Sequence, residues 1–218
     1  MQIDWIKRDA ANRSLLVVAQ GWGSSVEVIS NQLWPLGFDV VSLCDYRTLD
    51  SSALDFSGYS YRVLVAWSFG VWASERLFPS DFFDRAVAVA GTPCPIDRFY
   101  GIDPRVFQLT LRGVLDEGVV RFVARMCGRY LRDYLRCHST RDLGEIREEL
   151  VVLGRLGSAP SSSALAWTRA VIPLQDKIFS VASMRRYWGE RGVPVLELAD
   201  VPHYPFYDKE FILCITRD

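Results

Sequence analysis

The chain has 218 residues and a mass of 24.8 kDa, enough for one domain of ordinary size and too few for two substantial ones. Half of it is hydrophobic and 13% aromatic, a composition that buries roughly 70% of the unfolded surface and excludes intrinsic disorder. A net charge of −1 excludes a globally basic nucleic-acid binder or a strongly acidic tail protein, though not a local patch.

Cysteines stand at Cys44, Cys94, Cys127, Cys137 and Cys214, odd in number and without a Cys-x-x-Cys pair, which fits neither a zinc site nor a disulfide framework. Met1 to Trp5 carries an acid where a basic n-region would stand, so no signal peptide is expected. Apolar runs such as Leu15 to Ala19 and Val63 to Trp67 span five residues, against the roughly 20 of a membrane helix. The expectation is a cytoplasmic protein with reduced thiols, no membrane segment and one domain over residues 1–218.

In chain order, Leu15 to Gln20, Asp39 to Leu43, Arg62 to Trp67 and Arg85 to Ala90 are short apolar runs rich in β-branched residues, as buried parallel strands are. Ser24 to Trp34 and Gly70 to Phe78 between them have helical spacing. This alternation predicts an α/β fold with a mostly parallel sheet. The same rhythm returns with a strand at Ala166 to Ile172, a helix near Ser180 to Arg191, a strand at Pro194 to Leu198 and a terminal helix around Pro205 to Ile215. From Ile96 to Ser163 strand signals are missing. Asp103-Pro104 reads as a helix start, and Gly118 to Arg136 and Asp142 to Leu153 are helical by spacing. Leu143, Ile146, Leu150 and Leu153 form one apolar stripe. Gly157 to Ser163 is a loop by composition. This region, 96–163, reads as a helical lid inserted into the α/β core.

Arg62 to Trp67 runs into Ser68 and then into a helix, the setting of a nucleophile elbow, in which a sharp strand-to-helix turn holds a serine hydroxyl exposed above the sheet. The usual Gly-x-Ser-x-Gly appears as Ala66-Trp67-Ser68-Phe69-Gly70. A helix-capping serine is the plainer alternative. The base for such a serine is His138 or His203, the two histidines of the chain. His203 follows the last strand, at the end of the sheet where active sites of open α/β folds gather. His138 lies in the helical region, where surface placement is expected. The orienting acid is Asp176, after a strand and a turn proline, with Asp200 as competitor three residues before His203.

Gly21-Trp22-Gly23 is a glycine turn between a strand and a helix, able to aim amides at developing negative charge. With the residue after the serine, it offers the Trp22 and Phe69 amides as an oxyanion hole. Its rival reading is a dinucleotide-binding turn with Asp45 on the ribose, but Val26 occupies the place of the third glycine.

Along the helix expected from Gly118 to Arg136, Arg121, Arg125, Arg129, Arg132 and Arg136 fall within an arc of roughly 80°, at about 100° per residue. From Arg121 to Arg141 the local balance is +5, against −6 for the rest of the chain. Like charges four apart repel, so such a face suits an acidic protein partner; a solvated surface is the plainer reading, and an RNA ligand lacks a recognisable module.

Gly21-Trp22-Gly23, Ala66-Trp67-Ser68-Phe69-Gly70, Asp176-Lys177-Ile178-Phe179 with Tyr187-Trp188, and His203-Tyr204-Pro205-Phe206 together resemble the BioG-type pimeloyl-[acyl-carrier protein] methyl ester esterases, an α/β-hydrolase family of biotin synthesis. The resemblance implies a hydrolase without cofactor or metal. It acts on the methyl ester of a carrier-bound seven-carbon chain through Ser68, His203 and Asp176, with Trp22 and Phe69 against the acyl chain and the carrier protein docked on Arg121, Arg125, Arg129 and Arg132. A generic short-chain esterase or thioesterase, and a non-catalytic hydrolase-like binding module, are the alternatives.

Overall fold

The structure, a computed structural model, describes residues 1–32, 34–158 and 165–216. Seven strands, β1 (Gln2–Lys7), β2 (Ser14–Ala19), β3 (Phe38–Cys44), β4 (Tyr61–Trp67), β5 (Arg85–Val89), β6 (Arg169–Pro173) and β7 (Val195–Leu198), form one sheet in the order β1-β3-β2-β4-β5-β6-β7. All neighbours are parallel except β1, which runs antiparallel to β3. The expected α/β class therefore holds. β1 was not among the expected strands: only Ile3 and Trp5 alternate there, and the strand is half-buried at the sheet edge.

The period-2 geometry of strands divides the apolar residues between the two faces. Leu15, Val17, Val41, Leu64, Ala86 and Ile172 build one core, with α2 (Phe69–Leu77) and α7 (Val181–Glu190). Leu16, Val18, Val40, Val63, Val87 and Leu198 build the other, with α1 (Glu27–Ser30) and α8 (Lys209–Thr216). Near-continuous apolar runs are what burial on both faces requires.

Two helices are shorter than their spacing predicts. The segment from Ser24 to Trp34 holds only the single turn α1, because β-branched Val26, Val28 and Ile29 favour it weakly and Gly37 turns back at φ 77°. The terminal helix starts at Lys209 rather than Pro205, where the Asp208 carboxylate accepts the Phe211 amide at 3.0 Å.

Between β5 and β6 lie α3 (Pro104–Gly113), a π-helical turn at 114–118, α4 (Val119–Cys127), a short 3-10 turn, α5 (Leu131–Tyr134) and α6 (Leu143–Leu156). Asp103 caps α3 as expected, accepting from the Arg105 amide at 2.8 Å. Ile146, Leu150 and Leu153 of the α6 stripe are buried in the core with Phe107 and Val114, but Leu143 in the first turn is 45% exposed. The predicted helix from Gly118 to Arg136 is broken at Gly128, whose φ of 49° no helix accommodates. The loop expected from Gly157 to Ser163 lies, beyond Ser158, outside the described residues. Among the described residues no helix is long and apolar enough to cross a membrane.

Strand order fixes where a ligand can enter. From β2 the chain passes to β3 on one side, and from β4 it passes to β5 on the other, so the carboxyl ends of β2 and β4 flank the switch point at which open α/β sheets bind ligands.

Cys44 and Cys127 are wholly buried, and burial pushes both thiols up, Cys127 to about 12. Because only the thiolate is nucleophilic, we expect an alkylating reagent at mildly alkaline pH to modify at most the partly accessible Cys94, Cys137 and Cys214 in the folded protein, and all five in denaturant. Mass spectrometry of the intact protein checks this, and rapid native modification of Cys44 or Cys127 would contradict the packing described.

Candidate active site

Ser68 stands between the end of β4 and the start of α2 with φ 58° and ψ −123°, a conformation non-glycine residues rarely adopt. Its surroundings hold it there. The Ser68 amide donates to the Val89 carbonyl at 2.9 Å, and its carbonyl accepts from the Val71 amide at 3.1 Å. A Cβ on Gly70 would lie 2.1 Å from the Ala19 carbonyl oxygen, and one on Gly91 2.6 Å from the Ser68 carbonyl oxygen. The turn is thus pressed between the ends of β2 and β5, which explains the glycine two places after Ser68. Two places before it, fully buried Ala66 is small enough to stand for the first glycine.

His203, on the loop after β7, lies with Nε2 3.0 Å from Ser68 Oγ and Nδ1 2.7 Å from Asp176 Oδ2. Asp176, just after β6, accepts the Ile178 and Phe179 amides on its other oxygen at 2.7 and 2.9 Å. With that carboxylate as acceptor, Nδ1 carries the proton and Nε2 presents its lone pair to the serine hydroxyl. The imidazole is held on all sides. Phe179 lies parallel to it with centroids 6.0 Å apart, Trp67 donates its indole N–H to the His203 carbonyl at 2.8 Å, and the Tyr204 amide donates to the Met126 carbonyl at 3.0 Å. Gly128 packs on Pro202 of the same loop, so the break that ends α4 seats the histidine. Asp200 is exposed and far less suited; His138 is also exposed, as expected, its ring nitrogen 3.0 Å from the Leu135 carbonyl.

Trp22 and Phe69 line the same narrow cleft as Ser68 and His203, and among the described residues neither amide has an acceptor. Two unpaired N–H groups beside a serine hydroxyl are suited to an oxyanion. Ile102, Phe107, Phe122 and Leu150 complete an apolar wall, and Arg125 stands in its lining. The free volume between these side chains is about 30 Å³, the room of a water or two.

The arginines divide where Gly128 breaks the helix. Arg121 and Arg125 lie on α4, Arg129 on the following turn and Arg132 on α5, so the arc computed for one continuous helix does not persist, although all four are exposed. Arg125 donates to the Lys177 carbonyl at 3.1 Å and Arg129 meets Asp208 at 3.3 Å. Asp45, the rival ribose ligand, is taken up by Arg47 and Arg141 at 2.7 and 3.1 Å.

One buried polar group was not anticipated. Glu149 on α6 is wholly buried, and its carboxylate accepts the Gly23 amide at 3.1 Å, the Tyr46 amide at 2.9 Å and Arg141 at 2.6 Å. Burial pushes its pKa up, while Arg141 and the two amides pull it down. The signal was present in the sequence, since Glu149 lies three residues after Ile146 and four before Leu153, at the edge of the apolar face of its helix.

A serine on a strained turn after a central strand, with histidine and acid on loops after later strands of a mostly parallel sheet, defines an α/β-hydrolase fold. The enol-lactonase of Burkholderia xenovorans LB400 shares that fold, with a TM-score of 0.72 at 13% identity over 98% of this chain and 94% of its own. The sequence profile described as "Pimeloyl-ACP methyl esterase BioG" matches residues 1–211, and the chain belongs to that family of hydrolases. The crystal structure of BioG from Haemophilus influenzae superposes with a TM-score of 0.86 at 30% identity, covering 94% of this chain and 95% of that one. A Bacteroides fragilis protein named malonyl-[acyl-carrier protein] O-methyltransferase is 32% identical over 196 residues, 88% of this chain; the chain spans only 40% of that relative's length.

The contact at Gly70 yields a direct test. Gly70→Ala should lower the free energy of unfolding by about 3 kcal/mol or more, at the upper end for overpacked sites, or prevent folding. Gly58→Ala, with nothing within 4 Å of its new methyl, should unfold at the wild-type urea concentration.

Proposed function

We propose that the chain is a serine carboxylesterase that hydrolyses the methyl ester of pimeloyl-[acyl-carrier protein] and releases methanol. The observation that carries this reading is the unbroken hydrogen-bond chain from Ser68 Oγ through His203 to Asp176 at the switch point of the sheet. Membership of the pimeloyl-ACP methyl esterase family supplies the substrate class.

In this mechanism His203 Nε2 takes the Ser68 proton as Oγ attacks the ester carbonyl carbon, and Asp176 orients the imidazole and stabilises the imidazolium. The oxyanion of the tetrahedral intermediate sits against the Trp22 and Phe69 amides. Collapse breaks the bond to the methoxy oxygen, which leaves as methanol with the proton from Nε2. Water, deprotonated by the same nitrogen, then attacks the acyl-enzyme and releases the carboxylic acid, with the thioester to the carrier untouched. The apolar wall of Phe107, Phe122 and Leu150 suits the methylenes. Exposed Arg121, Arg125, Arg129 and Arg132 suit an acidic carrier.

Ser68→Ala should reduce hydrolysis of a short p-nitrophenyl ester by at least about 1,000-fold with the circular dichroism spectrum unchanged. Wild-type turnover in Ser68→Ala would remove Ser68 from the mechanism, whereas failure of the wild-type protein to take up a fluorophosphonate would favour a non-catalytic module. Incubation with carrier-bound pimeloyl methyl ester should remove one CH2 from the intact mass and keep the acyl chain attached; release of the whole acyl group would identify a thioesterase instead.

Charge reversal of Arg121, Arg129 and Arg132 to glutamate should lower kcat/KM on the carrier-bound ester by about 10-fold or more at low salt. Turnover of a small free ester should stay near wild type. Equal loss on both substrates would assign these arginines to the fold rather than to a partner.

A further inference from the structure

We propose that Glu149 is a positioning residue for the oxyanion turn, so that the proposed hydrolytic site is complete only when α6 is seated against the loops that follow β2 and β3. This rests on the reading of Trp22 as an oxyanion donor. The turn after β2 has little regular structure of its own: Gly21 and Gly23 flank Trp22, and Gly23 has φ 70°. Its conformation is set from outside. The Gly23 amide donates to Glu149 Oε2 at 3.1 Å, which fixes the peptide plane joining Trp22 to Gly23. The Trp22 indole donates to the Ile146 carbonyl at 2.7 Å, one turn of α6 before Glu149. Ile146 also packs on the position where a Cβ of Gly23 would stand, at 3.4 Å. Both the main chain and the side chain beside the Trp22 amide are therefore tied to one helix of the segment between β5 and β6.

The carboxylate does more than tether one loop. Its Oε1 accepts the Tyr46 amide at 2.9 Å, and the Tyr46 hydroxyl donates to the Gln20 carbonyl at 2.8 Å, at the end of β2. Gln20 in turn holds Ser42 Oγ at 2.7 Å and the Ser25 carbonyl at 3.0 Å through its amide nitrogen. Arg141, 5% exposed, balances the buried charge at 2.6 Å and reaches Asp45 at 3.1 Å. Only a carboxylate satisfies this set, because both of its oxygens face donors, whereas a glutamine would turn its NH2 against at least one N–H.

The test compares wild type with Glu149→Gln and Glu149→Asp at a temperature where thermal melts show each to be folded. The aspartate keeps a charge for Arg141 but draws the carboxylate back by about one C–C bond, ~1.5 Å. Moving one oxyanion donor by about 1 Å costs on the order of 100-fold. We expect kcat on a small p-nitrophenyl ester to fall about 10- to 100-fold in both variants with KM within about three-fold. Inhibition by a trifluoromethyl ketone, which forms a tetrahedral oxyanion adduct, should weaken in proportion to kcat. Wild-type kcat in a folded variant would overturn the proposal. So would a loss confined to KM, or a failure of both variants to fold, which would make the group purely structural. If wild-type activity survives Ser68→Ala, the reading of Ser68 as nucleophile fails first, and the two failures are thereby distinct.

Discussion

Everything at the site depends on the backbone of Ser68. A residue with a side chain held at φ 58° and ψ −123° costs on the order of 1–3 kcal/mol, and it persists because neighbours leave no other course for the chain. Gly70 lies against the Ala19 carbonyl, Gly91 against the Ser68 carbonyl and Gly21 against the Ser68 Cβ, so the ends of β2, β4 and β5 close round the turn. The strain aims the hydroxyl out of the sheet toward His203 and leaves the Phe69 amide, first in α2, without an acceptor among the described residues. One constraint thereby places the proposed nucleophile and the proposed oxyanion donor together.

The proposed base is fixed by a different kind of interaction. His203 belongs to a loop, and loops place side chains accurately only when packing over-determines them. Here the ring is sandwiched near Phe179 and Trp67, its carbonyl is bonded to the Trp67 indole, and the next residue is bonded to the end of α4. The arrangement joins the two cores of the molecule, because Phe179 belongs to one face of the sheet and Trp67 and Tyr204 to the other.

Strands β2 to β7 and the three proposed catalytic positions were legible because each rests on a local signal. Apolar runs mark buried strands, and a serine between a strand and a helix marks the elbow. Two histidines reduced the base to a binary choice. What escaped depends on tertiary context. β1 is a weak edge strand that pairs only because β3 offers a free side. Spacing alone extended a helix through Gly128, which instead takes a positive φ against Pro202. Spacing likewise could not show which oxygen or amide would meet Glu149, since its partners lie 103 and 126 residues away.

That last group changes the meaning of the near-neutral net charge. Part of the acidic remainder is not surface at all: Glu149 and Asp45 lie buried or nearly so, and Arg141, counted in the basic segment, is paired with both. Removing one member of a buried ion pair typically costs about 3–5 kcal/mol, whereas replacing the whole set with apolar residues can be neutral. Stability alone therefore gives little reason to bury these charges. An apolar replacement would leave the Gly23 and Tyr46 amides without acceptors at the turn beside Ser68. The carboxylate is the group that satisfies both amides at once, and its position on α6 makes the outer helices part of the site's framework rather than only its cover.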